Sequence, residues 1–176
     1  MVWLLLVLLI LFTLPRVTFE TVNHLKNFLK PSGFLLTNEE LDLYKFINQN
    51  ASPQATIAVD PNHYLGRNSP YVSVFLDRPL LLSGNGLLKH FHLDVTAKEA
   101  SQKIIFNSDK GNLVAEELLT NQVEYIFLYD IHHLSATESA LFTRAAEKNK
   151  AGTVLEVLPE EILKNFPKLK PNLMLP

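Results

Sequence analysis

The chain opens with an apolar run that a small soluble core cannot enclose. Residues 1–14, MVWLLLVLLILFTL, carry no charged side chain, and Thr13 is the one polar residue among them. A helix that is apolar on every side must be covered on every side, and a chain of 176 residues has little material left for that. We therefore expect residues 1–15 to form a transmembrane helix or its exit half, with Pro15 and Arg16 at the interface.

The length of this run distinguishes a complete membrane span from a signal peptide and from part of a longer protein. Fourteen helical residues span about 21 Å, whereas the hydrocarbon core of a bilayer is about 30 Å thick. A secretory signal peptide has an apolar region of this length, but basic residues precede it, and no Lys or Arg precedes this one. We therefore expect the chain to be a fragment, the tail of a longer membrane protein.

Composition excludes several classes of function. The net charge is −2, and the 16 Lys and Arg residues are scattered, so no basic surface for nucleic acid is indicated. Cysteine is absent, which excludes disulfides, Cys-based metal sites and a thiol nucleophile. We expect no nucleic-acid partner and no cofactor.

Residues 16–36 are predicted to form a connector, and residues 37–176 a globular domain. Three S/T-x-x-E patterns are typical of capping boxes at helix starts, and two further helices are predicted, a short one after Ser69-Pro70 and another over 112–121. The capping boxes begin at Thr37, Thr96 and Ser135.

Four short apolar runs predict strands that alternate with these helices. They are 55–60 (ATIAVD), 79–83 (PLLLS), 123–129 (VEYIFLY) and 153–158 (TVLEVL). Near-continuous apolar strands between helices indicate a mostly parallel sheet that is covered on both faces. The expected fold class is α/β, a small three-layer domain of about four strands flanked by helices.

The stretch PLLLSGNGLLKHFH, residues 79–92, raises the question of a phosphate loop. Gly84-Asn85-Gly86 supplies G-x-G, but the third glycine of a dinucleotide fingerprint is missing. A turn that uses the freedom of glycine is the favoured interpretation. Asn85 is retained as a possible ligand or interface contact.

Histidines and acids near strand ends are the other candidates. His90, His92 and Asp94 would share one face of an extended segment and provide part of a metal site, but solvated loop histidines are favoured over a metal. Asp130 follows the third predicted strand, where ligands bind in open α/β sheets. Alternatively, Asp130 and Ser135 only end the strand and cap the next helix.

Three segments carry a resemblance to a known family. They are PQATIAV (53–59), RPLLLSG (78–84) and VEYIFL (123–128). Together with the apolar start, they resemble the soluble C-terminal tail of bacterial polytopic glycosyltransferase-C type membrane proteins, the dolichyl-phosphate-mannose mannosyltransferase-like group. The resemblance covers residues 1–130 and fades after that.

The resemblance implies a location and a set of partners. It implies a bacterial cell membrane, a domain on the extracytoplasmic side, a lipid-linked sugar donor and catalytic acids near the first membrane helices, outside this chain. The domain would then be non-catalytic, and its partners would be membrane lipid, the transmembrane portion of the parent protein and a lipid-linked sugar or glycan acceptor. Arg78 would contact the acceptor or the membrane portion, or else pair with Asp77 or a helix C-terminus.

Two other functions stay open. The first is a stand-alone binding module, held at the membrane by an uncleaved signal-anchor. The second is a metal- or nucleotide-dependent soluble enzyme that uses His90, His92, Asp94 or Asp130.

Overall fold

A four-stranded mixed sheet organises the domain. The computed structural model describes residues 37–61, 72–82, 85–129 and 133–172, all within the unit Thr37–Pro176. The strands are β1 (Thr56–Val59), β2 (Val123–Tyr129), β3 (Thr143–Lys148) and β4 (Gly152–Val157). Their order in the sheet is β1-β2-β4-β3. The α/β class is confirmed.

The prediction of a mostly parallel sheet is wrong. Of the three strand pairs in the described sheet, β1 with β2 is parallel, whereas β2 with β4 and β4 with β3 are antiparallel. A tight hairpin joins β3 to β4, and such a connection can only join antiparallel strands. In it the backbone N–H of Asn149 donates to the Gly152 carbonyl at 3.0 Å, and the Asn149 side chain accepts from the N–H of Ala151 at 2.9 Å.

The predicted strand over 79–83 is reduced to one bridge. Leu80 pairs in parallel with Ile57, and this single bridge is the only ladder pairing among the described residues of the segment. Two hydrogen bonds make the bridge: Ile57 N–H to the Pro79 carbonyl, 2.8 Å, and Leu81 N–H to the Ile57 carbonyl, 2.9 Å. The segment therefore closes the outer side of β1 without forming a full strand.

Helices cover both faces of the sheet. They are α1 (Asn38–Asn50), α2 (Val72–Phe75), α3 (Asn85–His90), α4 (Thr96–Asn107), α5 (Gly111–Thr120) and α6 (Pro159–Asn165), with 3-10 helices at Thr137–Leu141 and Pro167–Asn172. The predicted short helix after Ser69-Pro70 is present as α2. In the part of the chain that the structure describes, no helix combines the length and the apolar character needed to cross a membrane.

Alternation along β2 divides the two layers, since neighbouring side chains on a strand point to opposite faces. Tyr125 and Phe127 meet α1, where the Tyr44 ring lies 5.4 Å from that of Phe127 and the Phe46 ring 6.3 Å from that of Tyr125. Ile126 and Leu128 face the other way, into the main apolar cluster. That cluster includes Ile105 and Phe106 of α4, Val114 and Leu118 of α5 and Ile162 of α6.

The predicted capping boxes meet three different outcomes. Thr37 caps α1, because its hydroxyl accepts the N–H of Glu40 at 3.1 Å. Thr96 is already inside α4, and the carboxylate of Asp94 accepts its N–H at 2.9 Å instead. Ser135 makes no cap, since its hydroxyl donates to the Phe106 carbonyl at 3.0 Å.

Candidate functional site

Arg78, the charged residue of the segment RPLLLSG, lies against the C-terminal end of α1. Its Nε donates to the Ala51 carbonyl at 3.1 Å, and one terminal nitrogen donates to the Asn48 carbonyl at 2.7 Å. The other terminal nitrogen donates to the carbonyl of Asp77 at 2.5 Å. The last carbonyls of a helix lack partners within the helix, and a cation is favourable there. Arg78 therefore acts as a C-terminal cap of α1, in addition to the helix's own bond from the Ala51 N–H to the Ile47 carbonyl.

Asn48 completes this junction from the side of the helix. Its side-chain amide donates to the Phe75 carbonyl at 2.8 Å, and its side-chain oxygen accepts the N–H of Asp77 at 2.9 Å. The Phe75 ring stacks on Tyr44 with centroids 6.0 Å apart and planes 6° apart. Residues 75–78 are thus fastened to α1 by polar and aromatic contacts together.

The ion pair that the sequence allowed between Arg78 and Asp77 is weak by comparison. The closest charged atoms are 3.7 Å apart, and the Asp77 side chain is almost fully exposed. Exposed pairs contribute little to stability. Of the two structural roles predicted for Arg78, the helix C-terminus is the principal one. Contact with an acceptor or with a membrane portion stays a prediction.

The histidine candidates do not lie on an extended segment, which is the condition under which His90 and His92 would share a face. Asn85 begins α3 and His90 ends it, and His92 lies in the following turn with φ 58°. The Asp94 carboxylate accepts the N–H of Thr96 at the start of α4, and the hydrogen bonds from Thr96 lower the pKa of this carboxyl. Within the described ranges, no three His, Asp or Glu side chains are placed to hold a metal ion. Asp130 lies outside the described residues.

A second polar cluster was not predicted and lies at the carboxyl end of the parallel strands. The Tyr44 hydroxyl donates to Glu40 Oε1 at 2.7 Å and lies 2.9 Å from the hydroxyl of Tyr129, the last residue of β2. All three side chains are buried. Asp60, buried directly after β1, reaches the same end of the sheet, and its N–H donates to the Phe127 carbonyl at 2.9 Å.

This cluster joins a helix to the sheet through oxygen atoms. Because the Tyr44 hydroxyl donates its one hydrogen to Glu40, the Tyr129 hydroxyl is the donor in the bond between the two tyrosines. The Glu40 carboxylate ends this row of hydrogen bonds near the start of α1, where negative charge is favourable. A signal was present in the sequence, because Glu40 and Tyr44 are one helical turn apart on the apolar face of α1.

Comparison with known proteins adds no relative. No protein-family model, no curated protein and no solved structure matches this chain.

Proposed function

We propose that this chain is an accessory domain of an integral membrane protein, a lipid-linked-sugar-dependent glycosyltransferase of the bacterial cell membrane. In this proposal residues 1–15 hold the domain at the bilayer, and the domain 37–176 lies on the extracytoplasmic side. The domain does not itself catalyse transfer. It shapes the approach of a lipid-linked sugar or glycan acceptor to the transmembrane portion.

The observation that carries the proposal is the adjacency of the three segments on which the resemblance rests. Residues 53–59, 78–84 and 123–128 are far apart in sequence. In the sheet, Leu80 bridges to Ile57 on one side of β1, and β2 pairs with β1 on the other side. Short apolar motifs that match separately can match by chance, whereas motifs that build one contiguous part of a sheet support a shared structural unit.

The contacts of Arg78 fit a scaffold better than a reaction centre. Its guanidinium is occupied by the backbone carbonyls of Asn48, Ala51 and Asp77. A side chain committed to three carbonyls has few donors left for a sugar. The presence of Arg78 in the segment RPLLLSG is thus explained by its contacts in the fold, in keeping with a non-catalytic domain.

Carbonate extraction tests the anchor. The full chain is expected to stay in the membrane pellet, and the double variant Leu6→Arg/Leu9→Arg is expected in the supernatant, because each Arg at the centre of a span costs about 2.5–3.5 kcal/mol. The matched control Leu6→Ala/Leu9→Ala is expected to stay in the pellet. Wild-type chain in the supernatant would overturn the anchor.

The side of the membrane is tested with one introduced cysteine, since the natural chain has none. Glu147→Cys places a thiol on the exposed face of β3. A membrane-impermeant maleimide should label it in intact cells as well as in permeabilised cells. Labelling that requires permeabilisation would place the domain on the cytoplasmic side and refute this part of the proposal.

The genomic DNA upstream of Met1 separates the accessory domain from the stand-alone binding module. An in-frame extension that codes for several hydrophobic helices is the expected result. A stop codon and a ribosome-binding site directly before Met1 would instead favour the stand-alone module.

A further inference from the structure

The turn after α3 presents two large apolar side chains to solvent. Six consecutive residues, 89–94, are exposed. Among them the Phe91 side chain is 64% exposed and that of Leu93 is 55% exposed. Exposed apolar side chains that lie together mark contact surfaces more often than single ones do.

Backbone hydrogen bonds fix the shape of this turn. The N–H groups of Phe91 and Leu93 both donate to the Leu88 carbonyl at 3.1 Å, and the N–H of His92 donates to the Lys89 carbonyl at 2.9 Å. The positive φ of His92 reverses the chain at the tip. The backbone that carries the two apolar side chains is therefore ordered before any partner binds, which lowers the entropic cost of binding.

The base of the turn is held from α4. The Lys89 ammonium contacts the Glu99 carboxylate at 2.6 Å, and the Asp94 carboxylate accepts the N–H of Thr96. Lys89 is neutralised by Glu99, and the carboxylate of Asp94 adds negative charge. Lys89, Glu99 and Asp94 together therefore leave no excess of positive charge at the base of the turn, and the apolar pair dominates the contact that its tip makes.

We infer that Phe91 and Leu93 insert into the lipid interface of the bilayer to which the domain is tethered. A stable protein interface buries about 800 Å² on each partner, far more than two side chains at the tip of a turn provide. The interfacial region of a bilayer accepts a small apolar wedge of any outline, to a depth of about 5–10 Å. His90 precedes Phe91, with ring centroids 5.6 Å apart, and His92 lies between the two apolar residues in the sequence. Histidine has polar ring atoms that suit the headgroup layer.

The inference rests on the proposed function, in which residues 1–15 attach the domain to the membrane. That attachment makes the insertion of only two side chains sufficient for contact with the bilayer. The connector 16–36 spans at most about 75 Å at 3.6 Å per residue, so an anchored domain stays close to the membrane surface. A tethered group meets its target at a millimolar effective concentration. Weak insertion is then populated without a large interface.

The full chain, reconstituted into vesicles of phosphatidylcholine with or without phosphatidylglycerol, tests the inference. An environment-sensitive fluorophore is attached to a single cysteine in Leu93→Cys. The control is Leu141→Cys, whose natural side chain has a similar exposure, 53%, on the 3-10 helix Thr137–Leu141. Lipids that carry a quencher in the acyl chain are expected to quench the label at 93 at least three times as strongly as the label at 141, in both lipid compositions.

Replacement of the neighbouring aromatic residue sharpens the test. Phe91→Ser in the Leu93→Cys background is expected to reduce the quenching at least twofold. Equal quenching at 93 and 141 overturns the inference, and so does a label at 93 that is shielded in native membranes but not in pure lipid, since a protein would then be the partner. Flotation of the vesicles reports on the anchor separately, so an anchored chain with an unquenched label refutes only the insertion.

Discussion

Arg78 offers the sharpest test of whether the segment RPLLLSG serves the fold or a ligand. Two of its hydrogen bonds, to the carbonyls of Asn48 and Ala51, are partly buried. Hydrogen bonds to a charged group contribute about 1.5 kcal/mol or more each to stability. Arg78→Met, which keeps most of the aliphatic stem, should therefore lower the free energy of unfolding by about 3 kcal/mol.

The conservative variant should lie between wild type and Met. Arg78→Lys keeps the charge near the end of α1, but an ammonium group lacks the planar fork that reaches two carbonyls together. We expect a loss of about 1.5 kcal/mol. The matched control is Arg144→Met, because Arg144 is an exposed arginine whose partner is Glu156 on the neighbouring strand. Such exposed pairs are worth about 0–1 kcal/mol.

Urea unfolding of residues 37–176, followed by far-UV circular dichroism, measures these differences. For a domain of this size, 3 kcal/mol corresponds to a fall of about 9 °C in Tm. If Arg78→Met unfolds within 0.5 kcal/mol of wild type, the hydrogen bonds to α1 do not stabilise the fold. A ligand contact would then become the better explanation of Arg78. A cost for Arg144→Met as large as that for Arg78→Met would also refute the reasoning.

Three further predictions concern stability. Gly152→Ala places a Cβ against the Leu128 carbonyl oxygen, which belongs to the backbone and cannot rotate away. We expect the free energy of unfolding, measured in urea, to fall by about 3 kcal/mol. A fall of less than about 0.5 kcal/mol would contradict the close approach of β4 to β2. Tyr44→Phe removes the hydroxyl between Glu40 and Tyr129. It should lower the free energy of unfolding by about 1–2 kcal/mol. A double-mutant cycle with Tyr129→Phe should show a coupling energy of at least about 0.5 kcal/mol, and strict additivity would contradict the hydrogen bond between the two hydroxyls. The pKa of Asp94 is lowered by its hydrogen bonds from Thr96, so its contribution is present above the ordinary value of 3.8 and is lost as the pH falls through the lower folded value. A carboxyl titration by NMR should find the Asp94 pKa below 3.8 in wild type and back near 3.8 in Thr96→Pro, which lacks the N–H donor, and an unshifted wild-type value would contradict this cap.

Buried strands were predictable because their composition alone marks them. The sequence indicated strands at 55–60, 123–129 and 153–158, and the structure has Thr56–Val59, Val123–Tyr129 and Gly152–Val157. Strand β3, TRAAEK, was missed because only two of its six residues are even partly buried, so it carries no apolar pattern. The direction of pairing was also missed, since an apolar run has the same composition whichever way its neighbour runs.

The polar sites were harder to predict than the strands. Tyr44 and Tyr129 meet across 85 positions of sequence, and no local spacing records such a contact. His90 and His92 show why spacing alone does not decide a site, because a spacing of two places side chains on a shared face only on an extended segment. The end of α3 and the positive φ at His92 remove that condition.

The sheet has a parallel half and an antiparallel half, which come from different parts of the chain. Its parallel half, the Leu80 bridge with β1 and β2, is built from the segments on which the resemblance was argued. The antiparallel half, β4 and β3, comes from residues after 130, where the resemblance fades. The expectation of a mostly parallel sheet followed from the alternation of four apolar runs with helices. It failed because β3, which has no apolar pattern, forms an antiparallel hairpin with β4.

The β3–β4 hairpin has a physical role that the apolar character of β2 makes necessary. Six of the seven residues of β2 are buried, so a free edge on this strand would leave unpaired backbone groups beside an apolar surface, a template for aggregation. Strand β4 covers that edge, and β3 then ends the sheet with the charged residues Arg144, Glu147 and Lys148 and a register shift between Ala145 and Glu147. Charges and irregular pairing are the usual protection of an exposed edge. The polar composition that hid β3 from prediction is therefore the property that suits it to the outer position.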